Sequence, residues 1–513
     1  MRYLFVDRKY VQRIDGIKQI FHQPVKENGP VLEEAGSNIW ADAPLWCEER
    51  SRWRIWYACG KALSVYAESS DGLNWEKLPL GSTKKDIADP ESRINNPYHN
   101  LLRDDDEKDP ARRFKGLMRV DRYLIPLVSP DGMDWTVLEG DRIPSGDQFK
   151  LNYDGIEHRF VATVKLNGMG GEGNYPVGEF GRSVSLSVSD DFVHWSEPEL
   201  VFWGDEIDQE NGKKRLEEAI QNPDRRSPLV IKHDQFFTDV YNMPVFDYED
   251  IYLGLPTMFN QAGRYWYTQE GGEPNAGSNQ DGILYPALAA SRDLYNWDRL
   301  SREPLITHSP LSNKDRWDYA QIYASRPVKN GNELWFYYTG SRFTHMPYVM
   351  INESGLRQSP DEPLSGIFVA RMRIDGFASL YGGAKPGVVL TTPVTVTGSK
   401  LYVNANAARG ELRAEIRDAT TGRVIQGYSL NEHVATRAVF NEDGSALGHR
   451  MGTGFRFDDE PLHENQTVPV CEDSTAVAVR WTGGDDLTPL KGREVRVCFC
   501  LQNAHLYSFW FGD

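Results

Sequence analysis

Several polar residues stand just before short apolar runs in this chain. They are Asp42 in NIWADAPLW, Asn95 in RINNPYHNLL with His99 behind it, Asp147 in PSGDQFKLNYD, Asp239 with Tyr241 in FTDVYNMPVFDYED, and Asp318 with Gln321 in RWDYAQIYASRP. A single aspartate in such a place is commonly a turn residue. Several in register invite another reading. Carboxylates crowded into one cavity repel and raise one another's pKa, an arrangement suited to catalysis, to hydroxyl binding or to holding a cation. Cleaving a glycosidic bond needs two carboxyl groups, one kept protonated as acid and one ionised as base or nucleophile. Asp42, Asp147 and Asp239 supply such a set. Glu249 follows in the same stretch as Asp239. Glu172 and Glu179 lie in the Gly-rich segment GMGGEGNYPVGEFG and are candidates for a mobile acid. Arg342 and His345, in SRFTHMPY, suit hydroxyl, carboxylate or sulfate binding.

These residues lie far apart in sequence, so the elements that gather them matter. One frame recurs four times: SSDGLNW, SPDGMDW, SDDFVHW and SRDLYNW, ending at Trp75, Trp135, Trp195 and Trp297. RIDGFASL, at residues 373–380, is a degenerate fifth copy. Internal repeats of this length are the mark of a repeat architecture. Before each copy lie short runs rich in β-branched and aromatic residues, bounded by turn residues, and after it comes one more. Four antiparallel strands per unit make a propeller blade. The Ser and Asp side chains are expected to cap the turn between third and fourth strands. Gly72 and Gly132 would supply positive φ there, and the Trp would pack over the outer strand. That motif is structural work and marks no active site. The longer step before Trp297 holds a polar insertion, 203–228, read as a loop with a short helix.

From about Lys385 the pattern changes to alternating apolar and polar residues with Gly-rich turns. The expected fold class is all-β: a five-bladed β-propeller over residues 1–384, then a C-terminal β-sandwich over 385–513. First strands of propeller blades converge on a central channel. The residues before them therefore point into one funnel.

Composition narrows the partners. The 513 residues carry a formal charge of −17, which disfavours nucleic acid and anionic membrane surfaces but permits a local basic pocket. No apolar run is long enough to span a membrane. The first residues, MRYLFVDRKYVQRIDG, lack a signal peptide's apolar core, so the expected address is cytoplasmic unless a leader has been removed. Five scattered cysteines fit reduced thiols, and no Cys or His pair has zinc-ligand spacing. Nothing in the pattern fixes an oligomeric state.

The stretches WYACGKALSVYAESSDGLNWEKL and AHLYSFWF, with the acidic residues above, resemble the five-bladed propeller glycoside hydrolases of families 32, 43, 62 and 68. The Asp-Ala-Pro of NIWADAP is similar to the first-blade motif of invertase-type members, while their EC motif is absent. The resemblance implies a glycosidase, exo-acting, on an oligosaccharide or glycoside. Asp42 would then be base or nucleophile, Asp147 would orient substrate, and Asp239 or one of the glutamates would be the acid. Asn95, His99, Tyr241, Asp318, Gln321, Arg342 and His345 would bind hydroxyls. No cofactor is implied. Arabinanase-like relatives hold a calcium or sodium ion at the channel, though no ligand spacing here demands one. Two rival readings are a non-catalytic carbohydrate-binding propeller and a phosphate-dependent glycoside phosphorylase, the latter leaning on Arg342 and His345.

Overall fold

The structure is a computed structural model of the chain. It describes residues 1–60, 63–78, 100–166, 180–222, 236–267, 276–345, 361–430, 436–440, 446–451, 454–457 and 465–513. Among these the protein is nearly all β, with one α-helix, Glu206–Gln221. Contacts divide it into two compact units. One comprises Pro24–Asn330 and Leu334–Arg371, the other Met1–Gln23, Gly331–Glu333 and Met372–Asp513.

The larger unit is a series of mostly antiparallel sheets in chain order. In the first, Ile39–Ala41 and Leu45–Cys47 both pair with Arg52–Cys59, followed by Leu63–Ser69 and Glu76–Leu78. The second runs Leu101–Arg103, Phe114–Val120, Tyr123–Ser129, with short edges at Thr136–Val137 and Ile143–Pro144. The third runs Phe149–Asp154, Arg159–Val164, Val184–Ser189, Glu199–Phe202, and the fourth Val245–Tyr248, Ile251–Gly254, Leu288–Ser291, Trp297–Ser301. The fifth is nine-stranded: Phe237–Val240, Thr257–Tyr267 and Ala276–Pro286 lead, through a parallel pairing of Leu284 with Gln321, into Gln321–Ala324, Glu333–Ser341 and Ser365–Arg373. It is then completed from the start of the chain, by Val25–Lys26 and Leu32–Glu33.

The sheets bury their apolar faces against their neighbours. Trp56 and Tyr66 of the first pack with Leu101 and Phe114 of the second. Leu102 and Leu117 of the second pack with Phe149 and Leu151 of the third, and Val161 of the third with Val245 and Tyr252 of the fourth. Ile55 and Tyr57 of the first share a core with Trp335, Tyr337 and Ile367 of the fifth. First strands of the second, third and fourth sheets lie side by side. Burial of apolar area is the main stabilising term, about 25 cal/mol per Å².

The recurring turn is built as its residues dictate. Ser69 Oγ accepts the Gly72 N–H at 2.9 Å, and Asp71 Oδ1 accepts those of Leu73 and Asn74. The Trp75 indole donates back to the Gly72 carbonyl at 3.0 Å. The same bonds recur at Ser129–Trp135, Ser189–Trp195 and Ser291–Trp297. Glycine holds the positive-φ position in two turns only. In the others it is Phe192 (φ 66°) and Leu294 (φ 70°), both buried. The difference is one of space. A Cβ at Gly72 would collide with Tyr337, and one at Gly132 with Trp56. Phe192 instead fills its own gap, edge-on to Phe160 and Trp195.

The smaller unit has two main sheets, beside a three-stranded and a two-stranded one, and one core that includes Phe5, Ile17, Phe499 and Phe509. Strands Val11–Asp15 and Ile17–Phe21, near the start of the chain, pair into these sheets, and so does Ala378–Gly382. The unit thus takes residues from both sides of position 384. Four cysteines are buried and Cys471 is exposed; none forms a disulfide.

Candidate functional site

The break in the edge of the first sheet is where Asp42 stands. Pro44 lacks an N–H, and between Ala41 and Leu45 the pairing with Arg52–Cys59 lapses. Asp42 Oδ1 accepts the Ala43 N–H at 2.9 Å, and its Oδ2 lies 3.6 Å from Lys150 Nζ. Lys150 belongs to the first strand of the third sheet. The ion pair therefore links two sheets that are not consecutive in the chain.

Asp147 precedes that same strand and is ion-paired with Lys165, at the close of the next strand. Half of its side-chain surface is open, while the partner Lys165 is buried. Burial pulls the Asp147 carboxyl up, but the ammonium outweighs it and holds the group below the usual carboxylate range. Burial also lowers Lys165, against the pull of Asp147.

Asp239 has no exposed surface. Its strand, Phe237–Val240, pairs with Thr257–Tyr267, and Val240 N–H binds the Arg182 carbonyl at 2.9 Å. Asp239 Oδ1 accepts the Arg182 N–H at 3.0 Å, Oδ2 accepts from Gln261, and the Arg182 guanidinium lies 3.8 Å away. Burial nevertheless dominates and pushes the carboxyl up to about 6, against the lowering by Arg182 and Lys165. Gly181 makes this approach possible. Its φ is 57°, and a Cβ there would strike Asp239 Oδ1 and Phe237.

Tyr241 lies two residues on, with basic groups around it. Lys165 Nζ is 4.6 Å and the Arg182 guanidinium 5.5 Å from its ring centroid. His345 Nε2 is 3.1 Å from its hydroxyl. Phe259 and Tyr323 pack edge-on or tilted against it. Gln321 donates to the Phe343 carbonyl at 2.7 Å and accepts the Tyr323 hydroxyl at 2.5 Å.

The structure thus links Asp147 and Asp239 through Lys165 and Arg182, and brings Tyr241, His345 and Gln321 to the same place. Other expected residues go elsewhere. Glu249 is exposed in the turn that closes Val245–Tyr248, at the end of that strand away from Tyr241, with φ 58°. Asp318 is sealed in an ion pair with Lys26 at 2.5 Å and accepts the Tyr338 hydroxyl at 2.9 Å. Arg342 pairs with Glu362 at 2.9 Å and lies over Trp317. Asn95, His99, Glu172 and Glu179 lie outside the described residues. Sequence reasoning missed Lys150, Lys165 and Arg182. The one available signal was a lysine closing the apolar run FVATVKL. Among the described residues no group of three or more His, Cys, Asp or Glu is placed to hold a metal ion.

No family model matches the chain. The search of curated proteins finds no match. Solved structures similar to it include an N-acetylgalactosamine deacetylase from F. plautii in complex with blood group B trisaccharide. That pair is 16% identical, over 71% of this chain and 97% of that one, with a TM-score of 0.40. A glycosyl hydrolase from Bacteroides ovatus is 13% identical over 68% and 93%, TM-score 0.36. A family 43 β-xylosidase/α-arabinofuranosidase from a compost microbial metagenome is 9% identical over 68% and 94%, TM-score 0.37. At that distance the likeness assigns no activity to this chain.

Proposed function

We propose that the five sheets of the larger unit form a five-bladed propeller with a sandwich unit following it, and that the polar group around Asp239, Asp147 and Tyr241 cleaves a glycosidic bond of an oligosaccharide or glycoside, acting from the chain end. The cyclic packing order, with the fifth sheet completed by the chain's start and packed on the first, supports the propeller. One observation carries the chemistry. Asp239 is buried and raised to about 6, while Asp147, joined to it through Lys165 and Arg182, is held ionised. A carboxyl kept protonated beside one that stays ionised suits an acid next to a carboxylate that orients the substrate.

In this reading substrate binding uncovers the buried Asp239 carboxyl, which gives its proton to the leaving oxygen as the glycosidic C–O bond breaks. Asp42 removes a proton from the attacking water, or itself attacks the anomeric carbon. Asp147 and Tyr241 hold substrate hydroxyls. Separations of about 5 Å or about 6.5–9.5 Å between acid and base carboxyls would mean retention or inversion of configuration. The test is a panel of aryl glycosides and oligosaccharides, with Asp239→Asn beside the wild type. Cleavage of one member, lost in the variant, supports the reading; undiminished cleavage by the variant overturns it.

A further inference from the structure

We propose that Gln209, on the helix Glu206–Gln221, is a positioning residue: its side-chain amide clamps the strand that carries Asp239 and so fixes that carboxyl against the bond to be cleaved. The inference rests on the glycosidase reading for what the positioning serves, and on hydrogen-bond geometry for the clamp itself. Phe237–Val240 is the edge strand of the nine-stranded sheet. It pairs with Thr257–Tyr267, and its backbone groups on the outward side need other partners. Gln209 supplies two of them to one residue. Its Oε1 accepts the Thr238 N–H at 2.7 Å, and its Nε2 donates to the Thr238 carbonyl at 2.7 Å. A side-chain amide carries the same donor and acceptor as a peptide group, so Gln209 stands where a further strand would. Val240, two residues on, gives its N–H to the Arg182 carbonyl. Asp239 is thus held between two fastened neighbours.

The helix reaches the strand from the face opposite the carboxyl. Side chains alternate along a strand, so Thr238 turns one way and Asp239 the other. Thr238 Oγ1 bonds to Asn260 Oδ1 at 3.1 Å, and a Cβ on Gly212 of the helix would strike both atoms. Asp239 meets Arg182 and Gln261 instead. Gly204 also leaves room for the clamp, since a Cβ there would meet the Thr238 carbonyl oxygen and crowd Gln209 Nε2. The helix is firmly mounted. Asp205 caps its first turn, Arg299 donates to Asp208 at 2.7 Å, and Arg302 bonds to both Asp205 and Asp208 at 2.6 Å. Two turns beyond Gln209, Leu216 packs with Ile283 and Ala320. Two bonds running in opposite directions between the same pair of groups resist both sliding and twisting of the strand. A displacement of about 1 Å at a reacting group can cost about 10²-fold in rate.

Comparing wild type with Gln209→Ala, Gln209→Glu and Leu216→Ala, each checked for fold by circular dichroism, separates this role from a merely structural one. Leu216→Ala loosens the same helix without touching the clamp. Two readouts are taken: kcat and KM on a cleaved glycoside, and the ionisation midpoint of Asp239, followed by carbon-13 NMR of the carboxyl without substrate. Loosening the strand admits water to a carboxyl whose midpoint burial has raised to about 6, so the midpoint should fall toward 3.8 in Gln209→Ala. The same variant should lose about tenfold in kcat with KM nearly kept. Gln209→Glu keeps the acceptor for the Thr238 N–H and loses the donor. It should lie between wild type and Gln209→Ala, and it carries the comparison where Gln209→Ala fails to fold. Leu216→Ala should melt lower with the Asp239 midpoint unmoved. An Asp239 midpoint unchanged in every folded Gln209 variant, one moved as far by Leu216→Ala, or undiminished kcat in the folded Gln209 variants overturns the proposal. A shifted midpoint with no glycoside cleaved by the wild type would uphold the clamp and fault the glycosidase reading alone.

Discussion

Lys150 Nζ and Asp42 Oδ2 stand 3.6 Å apart, although one belongs to the third sheet and the other to the first. The second sheet lies between them in the chain. The pair can form only if the first strands of non-consecutive sheets face a shared space. In the proposed reading, convergence of that kind lets residues of different sheets act on one substrate. Lys150→Met removes the partner that holds the Asp42 carboxylate in place, and should lower turnover about tenfold while the fold, read by circular dichroism, is kept. Unchanged turnover in the folded variant would mean that the Lys150–Asp42 pair does not serve the reaction.

Asp239 sets the basic limb of the pH–rate profile. As acid it must be protonated, so activity should fall as pH rises through about 6. Removing a neighbouring cation, as in Arg182→Gln, should carry that limb higher. The stability sign is separate. The folded pKa exceeds the unfolded one, so the folded state binds the extra proton. The contribution is fully present below the unfolded value of 3.8 and is lost as pH rises through about 6. Asp239→Asn should therefore flatten the pH dependence of unfolding across that window, as read by denaturant titration.

Gly181→Ala should damage the site without touching a charged group. The added Cβ meets Asp239 Oδ1 at a position whose φ of 57° disfavours side chains. The expected result is a loss of turnover by orders of magnitude with a fall in melting temperature of several degrees. Normal activity in Gly181→Ala would contradict the described approach of Arg182 to Asp239.

The repeated turns should respond differently. Asp71→Ala removes the acceptor of two backbone N–H groups on the surface, at a cost of about 1 kcal/mol. Thermal unfolding should register the change while turnover stays at the wild-type level. A large loss of activity would tie the turns to the site after all.

The contrast between turns and site explains what was legible in the sequence. Ser69, Asp71 and Trp75 bond to backbone within three residues of themselves, so their roles are local and repeat visibly. The exchange of Gly for Phe192 and Leu294 depends on which neighbouring sheet fills the space, which local pattern does not record. Asp42, Asp147 and Asp239 stood out by register before apolar runs. Asp318 shared that register yet serves a buried ion pair, because its partner Lys26 comes from near the start of the chain, 292 residues away. The cations were harder still. Lys165 and Lys115 both sit in apolar strands, but Lys115 only neutralises Asp104 and Glu107. Arg182 reaches Asp239 across 57 residues.

In the smaller unit, Ser379 Oγ lies 2.8 Å from His22 Nε2 and 2.9 Å from His505 Nδ1. Burial, then mutual repulsion and Arg373, lower His22 to about 4; burial and Arg373 lower His505. The unfolded chain therefore binds more protons than the folded one between about 4 and 6.5. Stability should fall on acidification through that window, and His22→Gln should reduce the slope. An equal slope in the variant would exclude His22 as its source.

The most direct test is turnover of a cleaved glycoside by wild type and by Asp42→Asn, Asp147→Asn and Asp239→Asn, each checked for fold by circular dichroism. The account predicts that Asp239→Asn and Asp42→Asn each lose about 10²–10⁴-fold in kcat, the usual worth of a proton-transfer group, with Asp147→Asn affecting KM more than kcat. Three folded variants with near-normal kcat would contradict it.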